Sequence, residues 1–302
     1  MRFYNRDPNN LSLFQDYPYD RFCESTSPSS TDSTLINPFL EHAHHVICDD
    51  NISLFNYAIS SISFLIQKPG SKTDTAFKLI GEQSTSKNKF FTDVISNLIR
   101  SYAIANENNI KNIIGIFNSS LENKILVVWN VLQSIDNTQH LNTDCLKSLI
   151  TDRFCTIKSK YVNTLTIENA SNFIFVSNHF LTIKIENGDR RYIVFKCSDC
   201  YKNKFENFEK LNEGFSEEFY VSLHQYFKSY DITKYNTRDI RMTNMKLEMM
   251  EACIEIWSYS WRIIWKDLTL RTRLQKLITI TVRAVRIRSI KLSVRRCSNW
   301  KY

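Results

Sequence analysis

Lys87 is the residue around which chemistry can be built. It stands in the run Gly81-Glu82-Gln83-Ser84-Thr85-Ser86-Lys87-Asn88. A short apolar stretch (Ala76, Phe77, Leu79, Ile80) leads into this run. A helical pattern follows it, with Phe90, Phe91, Val94, Ile95 and Leu98 on one face. Strand, glycine turn, lysine and helix in that order make the scaffold of a phosphate-binding loop. Backbone N–H groups wrap the phosphates, the lysine reaches the outer ones, and the helix N-terminus adds positive potential. The usual spelling, G-x-x-x-x-G-K-[ST], is kept at Gly81 and Lys87. Ser86 replaces the second glycine, and Asn88 replaces the hydroxyl that would hold magnesium.

Three further polar groups fall at the ends of expected strands. Lys124 to Asn130 (KILVVWN) ends in Asn130-Val131. An asparagine there accepts a hydrogen bond from a metal-bound water, whereas a valine cannot take a proton. NFIFVSN, from Asn172, ends in Ser177-Asn178, and the amide could orient a water against a terminal phosphate. Gly188-Asp189-Arg190-Arg191 reads as a turn before a strand, with arginines able to reach a phosphate on a neighbouring copy. Taken singly, each is an ordinary feature: a buried strand with a polar end, or a solvated turn with a surface ion pair.

Other candidates carry less. Cys197-x-x-Cys200 is one pair without a second, so structural thiols are preferred to zinc. His42, His44 and His45 cluster near a helix start with no carboxylate or cysteine spaced to complete a site, and no metal ligand is assigned.

The elements that must position these groups alternate. Asn37 to Gln67 has helical spacing, broken by Lys68-Pro69-Gly70. The phosphate-loop strand and helix follow, then a helix over Asn109 to Leu121 and the buried strand 124–130. A helix around Thr143 to Ile150 precedes extended stretches at Thr156 to Ser159 and Asn163 to Ile167. Strands at 172–178 and 191–197 and a helix over Phe205 to Tyr230 complete the pattern. Continuous apolar strands alternating with helices predict an α/β fold. Its parallel sheet is covered on both faces, with ligands at the carboxyl edge.

With 302 residues, 43% of them hydrophobic, there is room for one large domain with appendages. Residues 1–34, with the tract CESTSPSSTDST, read as a disordered N-terminal segment. With only five glycines, those at Gly81, Gly188 and Gly214 are expected to answer backbone needs. Eight irregularly spaced cysteines and the lack of a long apolar run predict a soluble, intracellular protein with free thiols and no membrane insertion. The net charge of +8 is uneven. Residues from Trp257 onward hold twelve Lys or Arg against one acid, Asp267, so the rest is slightly acidic. Residues 254–302 are therefore a basic tail, with Trp257, Trp261 and Trp265 at helical spacing. It reads either as an arm for nucleic acid or an anionic surface, or as appended sequence with no selected role.

In order and spacing these segments (KLIGEQSTSKN, KILVVWNVLQSIDN, NFIFVSN and IENGDRRYIVFKCSD above all) resemble the superfamily 3 helicases of viruses and mobile elements. They are most similar to the helicase half of poxvirus-type and phage-type primase-helicases. The resemblance implies an AAA+ phosphate-loop NTPase core over 35–253 and ATP with Mg2+ as cofactors. It also implies a homo-oligomeric, commonly hexameric, ring and single-stranded DNA as partner. Under it, Gly81 to Asn88 hold the nucleotide, with Lys87 on the phosphates. Asn130 would serve the metal shell, Asn178 would be the sensor, Arg190 or Arg191 the finger, and Lys158 and Lys160 would lie on a DNA-contacting hairpin. An acid is missing at Val131, and serines replace loop glycines at 84 and 86, so hydrolysis is expected to be impaired. The alternative is a nonenzymatic nucleic-acid-binding or ring-interfering protein that retains the fold, or a decaying gene remnant.

Overall fold

Strands that are apolar at every position set the centre of the structure, a computed structural model describing residues 13–25, 33–82, 87–109, 111–130, 140–180, 182–183, 185–202, 209 and 211–253. β1 (Ala76–Ile80), β3 (Leu126–Asn130) and β6 (Asn172–Ser177) are buried along their whole length, and β7 (Tyr192–Lys196) is buried up to its last residue. With β2 (Ala103–Glu107) they form a five-stranded sheet in the order β2-β3-β6-β1-β7, parallel throughout.

Side chains alternate between two cores. Phe77, Leu79, Leu126, Val128, Ile174, Val176, Ile193 and Phe195 share one core with α2 (Ser33–His42), α3 (Ile52–Gln67), the helical run 87–99 and the helix Glu217–Ser229. Ala76, Ile80, Val127, Trp129, Phe173, Phe175, Tyr192 and Val194 share the other with Leu146 and Ile150 of the helix His140–Thr151 and with Met249 and Met250. Burying each large side chain contributes about 1.5–3 kcal/mol. A sheet covered on both faces thus explains the unbroken apolar runs. Lys78 is the exception inside β1. Its buried ammonium donates to the Phe180 carbonyl at 3.1 Å.

Several expectations need correction. β2 is not among the strands expected from the sequence: AIANE is a half-exposed edge strand pairing only with β3, so it lacks the strong apolar signal of the inner strands. The helix expected over Asn109 to Leu121 is one turn, Lys111–Ile114, followed by a 3-10 turn, Ser119–Leu121. Gly115 ends the first turn, where a Cβ would sit 2.1 Å from the Lys111 carbonyl oxygen. Of the helix expected from Phe205 to Tyr230, the described residues show helical backbone at 211–213 and then a fresh helix over Glu217–Ser229, which Ser216 caps by accepting from the Phe219 N–H. Among the described glycines, positive φ occurs at Gly70 and Gly188, and not at Gly81.

Within the segment expected to be disordered, residues 13–25 are packed. Tyr17 and Tyr19 are buried, and the Tyr17 hydroxyl donates to the Leu65 carbonyl at 2.9 Å. The aromatic cluster of YPYDRF supplies the apolar area that the neighbouring Ser/Thr tract lacks. Asp20, at the start of α1 (Asp20–Ser25), accepts from His224 Nε2 at 2.9 Å, Lys228 Nζ at 2.7 Å and the Tyr17 N–H at 2.7 Å. Burial pushes its carboxyl up. The bonds from His224, Lys228 and Tyr17 outweigh that and pull it down to about 2. A carboxyl depressed in the folded state stabilises above its ordinary value near 3.8, and that contribution is lost as pH falls toward 2. Asp20→Asn is therefore expected to lower stability by about 2 kcal/mol at pH 7 and to flatten the pH dependence between about 4 and 2. Urea midpoints measured across that range check both effects.

The chain divides into two compact units, residues 1–250 and 251–302. The basic tail, with Trp257, Trp261 and Trp265, lies outside the described residues.

Candidate functional site

The register of the sheet assembles the site. Ile80, the last residue of β1, pairs with Ser177, the last of β6, so Gly81 and Asn178 leave the sheet side by side. Asn130, the last residue of β3, pairs with Val176 on the other flank of β6. On the other flank of β1, the Cys197 N–H donates to the Ile80 carbonyl at 2.7 Å. From β1 the chain crosses to β2 at the far edge, returns through β3 and β6, and then passes β1 to form β7. The carboxyl end of β1 is thus flanked by connections running to opposite sides. Open α/β sheets bind ligands in such a crevice.

Lys87 opens the helical run 87–99 and points back over this crevice. It is buried, and its Nζ donates to the Glu82 carbonyl at 2.7 Å and to Asn178 Oδ1. Both acceptors are neutral oxygens. Burial lowers the Lys87 ammonium, and the neighbouring Cys197 counteracts this. Burial also pushes the Cys197 thiol up to about 12, against the pull of Lys87, so this cysteine is a neutral wall and not a nucleophile.

The middle of the run 87–99 is π-helical over Phe90–Ile95, with the Ser96 N–H bonded back to Phe91. That wider turn seats Phe90, Phe91, Val94 and Ile95 in the core and so anchors Lys87 from below.

The other assigned residues are placed as follows. Asn88 is exposed and its carbonyl accepts from Thr92 Oγ1; Glu82 is exposed and ion-paired with Lys202. Gln83, Ser84, Thr85 and Ser86 lie outside the described residues, as does Val131. Asn130 Nδ2 donates to Asn106 Oδ1 on β2, so the strand tip carries an amide pair. Asn106 has no sequence signal of its own because the strand that carries it has none.

Arg190 and Arg191 precede β7 and lie at the opposite, amino edge of the sheet, where the Arg191 carbonyl accepts from the Ala76 N–H at 2.6 Å. Gly188, at φ +77, turns the chain so that Asp189 takes the Arg191 N–H at 2.9 Å and its Nη1 at 3.2 Å. Arg190 is exposed beside a cavity of about 460 Å³ that it lines with Arg191, Arg238, Asp74, Thr75 and Thr151. Within one chain the arginines do not join Lys87. The finger role implied for them requires a second copy.

Lys158 and Lys160 are exposed on the loop joining β4 (Phe154–Ile157) to β5 (Leu165–Glu168), an antiparallel hairpin outside the main sheet. Asn118 staples this hairpin to the body. Its side chain accepts from the Lys158 N–H at 2.9 Å and donates to the Thr156 carbonyl at 3.0 Å. Lys160 Nζ lies 5.6 Å from the Phe117 ring centroid, and Tyr161 at the tip is fully exposed at φ +63. The family resemblance points to the lysines but not to Phe117 or Tyr161, and an aromatic residue carries no mark of exposure in the sequence.

The fold defines an α/β protein with a parallel five-stranded sheet flanked by helices. A family of unknown function (DUF5906) matches residues 79–191, less than half of the chain but a span holding the crevice, the hairpin and the arginine pair. The chain is 29% identical over 161 residues to the DNA primase-polymerase of Nitratiruptor phage NrS-1, covering 51% of this chain and 22% of that protein. It thus spans about a fifth of that relative's length. Apo structures of the NrS-1 C-terminal region superpose with TM-scores of 0.66 and 0.64 at 21% identity, covering 80% of this chain and 56% of theirs. The chain shares that region's fold. No helix among the described residues is long and apolar enough to cross a membrane.

Proposed function

We propose that this chain is a superfamily 3 helicase-like AAA+ domain of a viral or mobile-element DNA replication protein, one that binds ATP with Mg2+ and hydrolyses it poorly. The observation that carries this reading is the contact of Lys87 with Asn178 across the carboxyl ends of β1 and β6. A buried ammonium between two neutral acceptors is poised to exchange them for phosphate oxygens. The likeness to a phage primase-polymerase supports the replication context.

Poor hydrolysis follows from the tip of β3, where Asn130 is bonded to Asn106 and Val131 comes next. Neither amide nor valine takes a proton from an attacking water. The nucleotide is then held at an interface in a homo-oligomeric ring, with Arg190 or Arg191 supplied by the neighbouring copy. Saturable binding of ATP with Mg2+ to the full chain, with turnover near background, is the expected result. Absence of saturable binding overturns the reading.

The hairpin is the DNA-contacting element of this proposal. Lys158 and Lys160 grip phosphates, while Phe117 and Tyr161 offer faces on which bases stack. Replacing both lysines by glutamate is expected to weaken binding of single-stranded DNA. The slope of log affinity against log salt becomes shallower by about 0.7 for each phosphate no longer neutralised. An unchanged slope would remove the hairpin from the DNA path.

A further inference from the structure

The turn between α2 and α3 holds a constellation that the phosphate-binding reading leaves unused. Ala43–Ile47 is π-helical, with the Cys48 N–H reaching back to the Ala43 carbonyl at 3.0 Å. The chain then reverses through Asp49 and Asp50, both left-handed at φ +49 and +61, and the Asp50 N–H closes on the His44 carbonyl at 3.1 Å. Two successive non-glycine residues in that region are uncommon, although aspartate tolerates it better than most. The reversal carries the Asp50 carboxylate back over the preceding helical turn. One ligand atom each from His44, His45 and Asp50 then lie within 4.8 Å of one another.

The surroundings suit a ligand site. His45 Nδ1 and Asp50 Oδ1 are in direct contact, and their side chains are 43% and 69% exposed, so one side of the cluster is open to water. The His44 ring is fixed edge-on against Phe55 at 5.3 Å and against His45 at 5.0 Å. His44 Nε2 is buried and has no hydrogen-bond partner among the described residues. Buried polar atoms are ordinarily satisfied, so an unpartnered nitrogen on a residue of the cluster leaves that ring with a donor site to be filled.

We propose that His44, His45 and Asp50 bind a divalent transition-metal ion, with Zn2+ as its representative. Two imidazoles and a carboxylate form a donor set suited to that class of ion, and solvent supplies the open position. Zinc takes nitrogen and carboxylate oxygen at about 2.0–2.2 Å, which puts ligand atoms of a tetrahedral site about 3.4 Å apart. The three ligand atoms already lie within 4.8 Å of one another, and a bound ion would draw them to that spacing in place of the direct contact between His45 and Asp50. Imidazole ligands disfavour Mg2+, so this site is separate in chemistry as well as in place from any magnesium carried by a nucleotide. Bound metal would tie the end of the π-helical turn to the start of α3, which Asn51 caps.

The test is titration of metal-stripped full chain with Co2+, followed by absorbance and by Tm, with Zn2+ as competitor. The expected result is one tight site with the visible bands of a nitrogen- and oxygen-ligated ion and without the near-ultraviolet thiolate band. A metal-dependent rise in Tm accompanies it. Affinity falls by about 100-fold or more in His45→Ala and in Asp50→Asn. The Asp50 side chain is exposed and that of His45 half-exposed, and an unchanged Tm of the metal-free variants verifies that they fold. A thiolate band, affinity retained in both variants, or no saturable binding would each overturn the proposal.

Discussion

Lys87→Met is expected to weaken ATP binding by about 10- to 100-fold while leaving the chain folded. A charge-assisted hydrogen bond is worth about 1.5–3 kcal/mol, which converts to that range of dissociation constants. Methionine keeps the buried stem of the side chain among its neighbours and removes only the ammonium held by Glu82 and Asn178. Equilibrium titration with a fluorescent ATP analogue in the presence of Mg2+ measures it. An unaltered dissociation constant would falsify the assignment of the crevice as the nucleotide site. Binding of DNA through the hairpin is expected to persist in the same variant.

The second large effect is a gain. Val131→Glu is expected to raise ATP turnover by about 100-fold, because a positioned general base contributes on the order of 10²–10⁴ in rate. The position follows Asn130 at the tip of β3, next but one to β1 in the sheet, where the proposed function would call for an acid. Steady-state phosphate release, with and without single-stranded DNA, is the measurement. Turnover unchanged while ATP still binds would locate the defect in the loop serines Ser84 and Ser86, the second of which stands where the phosphate-loop pattern has glycine. The same assay on Asn130→Asp asks a smaller question, since that change breaks the amide pair with Asn106 without placing a base on the next residue.

The NrS-1 likeness and the local geometry bear on different levels. At 21% identity the structural match shows the fold that brings β1, β3 and β6 to a common edge. The residues at that edge are this chain's own. An amide pair stands at the strand tip and a buried neutral thiol beside the lysine. Under the function proposed above they would make a nucleotide crevice that keeps its positioning lysine and lacks a proton acceptor, which is the property the two substitutions above probe.

Sequence alone determined the buried strands, because burial on both faces demands apolar residues at every position, and β1, β3, β6 and β7 show that demand directly. It also set the order of turn, lysine and helix at Gly81 to Leu98, since that arrangement is local in the chain. What tertiary structure alone decided was adjacency. Lys87 meets Asn178 only because Ile80 registers with Ser177, and no local pattern encodes a register between segments so far apart in the chain. The same holds for β2, an edge strand too weakly apolar to announce itself, which delivers Asn106 to Asn130. It holds also for Asp50, whose left-handed backbone returns its carboxylate to His44 and His45 although spacing along the chain gave no reason to expect it. Periodicity reports how much of an element is buried; which polar ends meet depends on strand order and turn conformation, and those are properties of the whole fold.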